Sequence, residues 1–430
     1  MNCFSAFCTS RSLSLLLAGA LLCAACGVSD SESADDTNPL EYSLHYTMQP
    51  DPKAAKVRVI LRLEQPGRLL RELSFPLDSR LSDIEGDGTV EFREGKVHWR
   101  PAAGGGELAW SITVHSERSP GAYDALLNDA WGIFRAEDVI PRARTRTLKG
   151  AESRTTMTFD LPARWTAISE YSAVRKPIVI SRPERRFDEP AGWIAIGSLG
   201  VRRETIAGIR VAIAGPEGQD VRRMDMLALL GWTLPELVTI LPHDFARLTI
   251  VSAGDPMWRG GLSAPASLFI HADRPMISEN ATSSLLHEVM HTTMPVDSRD
   301  GHDWITEGLA EYYSIELLRR GRAITEERAV FAFERQASWS QEADTLCAAS
   351  STGPTTALAV TLFRQLNSEI SRQSDGAATL DSLLPFLTGP EVDADTLAAA
   401  AEQLIHSVPD ALHIDNLPGC LNIAPGTAEN

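Results

Sequence analysis

The sequence is short of basic charge, of long apolar runs and of cysteine, and it shows no internal repeat. Its 430 residues carry 40 Lys and Arg against 57 Asp and Glu, a formal net charge of -17. Such a surplus repels phosphate backbones and anionic lipid, so nucleic acid is excluded as a partner unless a separate basic patch is built. The arginines that cluster along the chain, at Arg182, Arg185 and Arg186 and again at Arg222 and Arg223, are interleaved with acids and read as solvated faces. The apolar run Leu13–Leu22 is too short to span a bilayer comfortably. Only six cysteines occur, and four of them, Cys3, Cys8, Cys23 and Cys26, lie in the first 26 residues, which rules out a disulfide-dense scaffold. An apolar share of 43% with 23% charged residues is that of ordinary globular protein, and the length allows two or three domains.

Residues 1–26 have the build of a targeting segment: Arg11 supplies a weak positive region and Leu13–Leu22 the apolar one. The run ends in Leu22-Cys23-Ala24-Ala25-Cys26-Gly27, which resembles a bacterial lipobox and makes Cys26 the expected lipidated N-terminus; ordinary cleavage near Ala25 is the alternative. Residues 27–38 are rich in Ser and Asp and read as a flexible tether. These features place the chain in a bacterial cell envelope, lipid-anchored and facing the periplasm or the exterior. Gly27 in place of aspartate after Cys26 resembles outer-membrane sorting. Cys347 and Cys420 then remain in the body and are expected to form a disulfide, with two free buried thiols as the alternative.

The period of the apolar residues predicts an α+β protein. Residues 39–215 alternate as strands, in segments such as Lys56–Leu63, Leu108–His115 and Ile209–Ala214 separated by turn signals, and predict an antiparallel β-sandwich-like domain. Residues 216–335 mix helix and strand, with Ser278 as the expected N-cap of a helix through Thr293 and Asp303 as that of another through Arg320. Residues 336–430 read as helical throughout, broken at Gly353-Pro354, Gly389-Pro390 and Pro409.

The chemistry-bearing segment is His287-Glu288-Val289-Met290-His291. Histidines four apart project from one face of a helix, so both imidazoles can reach one Zn²⁺, with Glu288 beside the open coordination position as general base. A third ligand is needed. Downstream stands Trp304-Ile305-Thr306-Glu307-Gly308-Leu309-Ala310-Glu311-Tyr312-Tyr313. The pair of motifs resembles the gluzincins, the thermolysin and aminopeptidase N group of zinc metallopeptidases, and the order of a β-rich region, a thermolysin-like centre and a helical tail is most similar to the glycyl aminopeptidases.

This resemblance implies a peptidase of peptide or protein substrates with one zinc ion held by His287, His291 and Glu307. It also implies that Gly308 permits close helix packing, and that Glu311 orients His287 unless Arg319 or Arg320 claims it. Gly260, Gly261 and Leu262 match the substrate-cleft segment of the relatives, but Ser263 and Ala264 follow where these carry an amine-binding glutamate. That leaves strict aminopeptidase specificity, endopeptidase action or another amine site open. No tyrosine follows Tyr313, so the oxyanion donor of the relatives has no counterpart. His302 is the first candidate for that role, ahead of Tyr312, Tyr313 and His413. His271 and Asp273 end a strand near the cleft and read either as substrate contacts or as a strand-end turn. The competing expectation is a zinc-binding lipoprotein whose peptidase site has degenerated into a binding module.

Overall fold

Residues 40–171, 177–181, 187, 189–241, 245–294, 296–387 and 389–420 are described by the computed structural model. The targeting segment, Cys26, the tether and Arg182, Arg185 and Arg186 lie outside the described residues.

Strict alternation drives the first two strands. Glu41–Asp51 buries Tyr42, Leu44, Tyr46 and Met48, and Lys56–Glu64 buries Val57, Val59, Leu61 and Leu63. They pair antiparallel at the centre of a six-stranded sheet. Glu41–Asp51 pairs on its other side with Glu152–Phe159 in parallel, so this sheet is mixed rather than wholly antiparallel. A four-stranded sheet, in the order Arg144–Thr147, Leu70–Pro76, Lys96–Arg100, Thr89–Arg93, faces it. Phe75 of the smaller sheet meets Trp110 of the larger with ring centroids 5.4 Å apart, so the two form a sandwich.

A third sheet joins this sandwich to the rest. Its strand Trp193–Gly197 is buried at every residue, because Ile194 and Ile196 face the sandwich core while Trp193 and Ala195 face Ala214, Val251 and Phe269. A strand covered on both faces reads as a continuous apolar run, as this one does.

The next sheet has the order Leu199–Ile206, Ile209–Pro216, Arg247–Ala253, Ser267–His271, Gly261–Ala264. The domain boundary expected at 215 therefore falls inside a sheet. Leu199–Ile206 and Ile209–Pro216 form a hairpin through Ala207 and Gly208, both with positive φ, and Ile209–Pro216 pairs in parallel with Arg247–Ala253. Alternation marked these residues as strands but carried no information about their partner.

Seven α-helices occur among the described residues: α1 (Ala136–Val139), α2 (Arg223–Leu237), α3 (Ser284–Thr293), α4 (Asp303–Arg320), α5 (Glu326–Trp339), α6 (Pro354–Gln373) and α7 (Ala394–Ile405). The cap of α3 is Ser283, whose hydroxyl accepts the Leu286 N–H, and not Ser278, which instead closes a turn with Thr282. α4 begins one residue before its expected start: His302 is the cap, and the Asp303 carboxylate accepts the Ser351 N–H at 2.7 Å. The C-terminal region is not wholly helical. Gly389–Val392 forms a short strand parallel to Val296–Ser298, and Asp393 forms an ion pair with Arg299, so the tail ties down the connection between α3 and α4. Cys347 and Cys420 are joined by a disulfide across 73 residues.

α4 is the central helix, buried on nearly every side, with Trp304 packed against Phe363 of α6. Gly308 does allow a close approach, but its partner is α6 rather than α3. A Cβ there would lie 2.5 Å from the Ala359 Cβ and 2.8 Å from the Phe363 ring. Gly308→Ala would gain about 1 kcal/mol of helix propensity. Forcing a methyl into this contact costs about 1–3 kcal/mol, so clash outweighs propensity. A net loss of stability and a lower Tm are expected in thermal unfolding; an unchanged or raised Tm would show that α4 and α6 are not this close.

Candidate metal centre

Spacing on two helices builds the site. His287 and His291 lie on one face of α3, and Glu307 and Glu311, also four apart, lie on one face of α4. Packing of α3 on α4 brings these faces together. His287 Nε2 is 3.0 Å from His291 Nε2 and 3.2 Å from Glu307 Oε2, and His291 Nε2 is 3.3 Å from Glu307 Oε1. One ligand atom from each of the three residues falls within 4.8 Å of the others. Tetrahedral zinc with bonds of about 2.0–2.2 Å holds its ligand atoms about 3.3–3.6 Å apart, so donor set and spacing both suit that ion.

The orientation of His287 is fixed from behind. Its Nδ1 lies 3.1 Å from Glu311 Oε2, and the other oxygen of Glu311 accepts a hydrogen bond from Gln336 Nε2 of α5 at 3.1 Å. This arrangement favours the tautomer with hydrogen on Nδ1 and leaves Nε2 facing the triad. The rival claimants Arg319 and Arg320 pair with Glu316 instead. Burial disfavours the charged form of the His287 imidazole, but its hydrogen bonds to Glu307 and Glu311 outweigh that and raise its pKa. Burial likewise opposes ionisation of Glu307, and the two imidazoles overcome it, so its carboxyl is held below the usual range.

Glu288 is buried, and burial pushes its carboxyl pKa up against the pull of His287 and His291. Its carboxylate lies against Gly261, where a Cβ would come within 2.7 Å of Oε1, and it also accepts a hydrogen bond from the Ser263 backbone. Both residues belong to the edge strand Gly261–Ala264. The flanking cleft residues serve the scaffold: the Gly260 carbonyl accepts the His271 N–H at 3.0 Å, and the Leu262 carbonyl accepts the Trp193 indole N–H at 2.9 Å.

The candidate oxyanion donors are held elsewhere. His302 caps α4 with Nδ1 3.4 Å from the Asp300 carbonyl, Tyr312 is buried against Phe333, Tyr313 donates to Asp381 at 2.9 Å, and exposed His413 lies 4.0 Å from Asp410. None of these contacts reaches the triad. His271 is buried and accepts the Asp273 N–H, as in a strand-end turn. Sequence reasoning missed Gln336, Asp381 and the Ser263 amide, for which spacing offers no signal.

No family model matches the sequence, and no curated protein matches it. Solved structures do share its fold. A protein of the aminopeptidase N family from Idiomarina loihiensis superposes with a TM-score of 0.60 at 13% identity, covering 85% of this chain and 76% of that one. An M1 zinc metallopeptidase from Deinococcus radiodurans, as its E323A mutant, superposes with a TM-score of 0.54 at 16% identity, covering 86% of this chain and 91% of that one.

Glu311→Ala removes the acceptor behind His287 while leaving all three ligands, so affinity for zinc is expected to fall about 10- to 100-fold in competition with a chromophoric chelator. Protons compete with the ion for the imidazoles. For the unsubstituted chain, affinity therefore rises with pH across the neutral range, by about tenfold per unit for each proton displaced. A pH-independent affinity would contradict imidazole ligation.

Proposed function

We propose that the chain is a zinc-dependent peptidase in which Glu288 acts as general base and then as general acid. The observation that carries this reading is the meeting of the His287, His291 and Glu307 ligand atoms with a buried carboxylate next to them, on the wall of an edge strand. Zinc bound there supplies Lewis acidity, lowering the pKa of a water toward about 7 and polarising a carbonyl. Glu288 takes the proton from the attacking water and gives it to the leaving amine. A carboxyl whose pKa is raised by burial, and which a cation draws back down, is suited to both transfers.

The edge strand Gly261–Ala264 pairs on one side with Ser267–His271 and has no neighbour on the other among the described residues. An extended peptide can add there as a further strand, with its scissile bond carried past Glu288. Ser263 and Ala264 offer no carboxylate to a free amine, so the proposal extends to internal peptide bonds as well as terminal ones. Likeness of fold to the aminopeptidase N family and M1 structures supports the peptidase class. A second reading, a zinc-binding lipoprotein that retains the metal without turnover, is favoured by one observation: the Tyr313 hydroxyl is committed to Asp381. For its location we propose a bacterial cell envelope, with the chain lipid-anchored through Cys26.

Glu288→Gln should keep its zinc, since it removes no ligand, and lose on the order of 100-fold or more in turnover. The assay is digestion of a random-peptide library read by mass spectrometry, with a chelator-treated control. Full zinc occupancy with no cleavage by the unsubstituted chain would select the binding-module reading. Cys26→Ser is expected to abolish incorporation of labelled fatty acid in cells; continued incorporation would place the anchor elsewhere.

A further inference from the structure

The four-stranded sheet carries a second constellation, unrelated to the metal centre. Leu73, Phe75, Val97 and Trp99 are buried in the sandwich, and the period of two sends the alternate residues Glu72, Ser74, His98 and Arg100 to the opposite face. Register places Arg146 opposite Glu72 and Glu91 opposite His98 on that face. Only 9% of the Glu72 side chain is exposed, yet four cationic or potentially cationic groups surround it: His98 Nδ1 at 3.0 Å, Arg100 Nε at 3.0 Å, Arg93 Nη2 at 3.3 Å and Arg146 Nη1 at 3.6 Å. Arg93 and Arg100 also share Glu91. Arg68 and Arg71 are exposed beside them and form no ion pair among the described residues. Arg68, Arg71, Arg100 and Arg146 line one cavity of about 440 Å³ together with Leu70, Glu72 and Pro101.

Five guanidinium groups thus face two carboxylates on a chain whose net charge is -17. Guanidinium stays charged at any physiological pH, so the repulsion among these groups cannot be relieved by losing protons. Solution ions or a bound anion supply the remaining counter-charge. We propose that this cavity binds a phosphate-class anion, with Arg68, Arg71 and Arg146 donating to its oxygens while Glu72 and Glu91 hold Arg93 and Arg100 in place. Three guanidinium forks with free donors match an anion that has several oxygens and more than one charge better than they match a single carboxylate. The phosphate can belong to a soluble compound or to a lipid headgroup, since the cavity offers the same donors to either.

The test is calorimetric titration of the full chain with inorganic pyrophosphate at low ionic strength. Saturable one-to-one binding that weakens as salt is added is expected. The triple variant Arg68→Ala, Arg71→Ala, Arg146→Ala should bind more than about tenfold more weakly, as loss of three charge-assisted donors requires. All three residues are exposed, and circular dichroism checks that the fold is kept. Arg203→Ala, an exposed arginine on the hairpin strand Leu199–Ile206, should leave binding intact. Absence of saturable binding by the unsubstituted chain, or equal binding by the triple variant, overturns the proposal. Sedimentation with vesicles then identifies the source. Binding to phosphatidylglycerol in excess of phosphatidylcholine, lost in the triple variant and competed by pyrophosphate, assigns a lipid headgroup. Pyrophosphate binding without that excess assigns a soluble phosphate compound.

Discussion

The candidate site depends on the packing of α3 against α4. Each helix presents a pair of polar side chains four residues apart, and neither pair makes chemical sense alone: two imidazoles in one half-buried stripe, two carboxylates in another. Brought together, they place three potential ligand atoms within reach of one ion and leave the fourth side chain, the Glu311 carboxylate, to steady an imidazole. The hydrogen bonds of His287 to Glu307 and Glu311 make that imidazole more basic than usual, and those of Glu307 to His287 and His291 make its carboxyl more acidic. The same contacts therefore set the proton competition that a metal ion must win.

Much of the rest of the body serves to hold those two helices. The sheet ending in Gly261–Ala264 supplies the wall against which Glu288 is buried, and α6 clasps α4 through the missing side chain of Gly308. The tail of the chain returns to pair Gly389–Val392 with Val296–Ser298 and to set Asp393 on Arg299. Those contacts brace the fifteen residues, 292–306, that join the ligand helices. A short connection fixes the relative position of two helices more tightly than a long one, so its brevity suits a site that needs ligand atoms placed to within a few tenths of an ångström.

The charge on the arginine-lined face has a different logic from that of the metal centre. In the metal centre carboxylates outnumber the imidazoles; on the four-stranded sheet guanidinium groups outnumber the carboxylates. The segments that supply these arginines lie far apart in the chain and are gathered by strand pairing. Windowed charge therefore shows nothing, although the folded surface concentrates positive charge on an acidic protein.

Local sequence determined what depends on local geometry. The alternation in Glu41–Asp51 and Lys56–Glu64 sets their buried faces, the i, i+4 spacing of His287 and His291 sets a two-nitrogen donor pair, and the same spacing puts Glu307 and Glu311 on one side of α4. Those readings hold because side-chain direction along a strand or helix is fixed by backbone period. Tertiary structure alone decided which surfaces meet. It assigned Gly308 to α6 rather than α3, moved Leu199–Ile206 and Ile209–Pro216 into the sheet beside the site, set Gln336 behind Glu311, and directed Tyr313 to Asp381. Partners of that kind are chosen by shape and burial across 25 to 70 residues of chain or more, and nothing in the spacing along one element specifies what will pack against it.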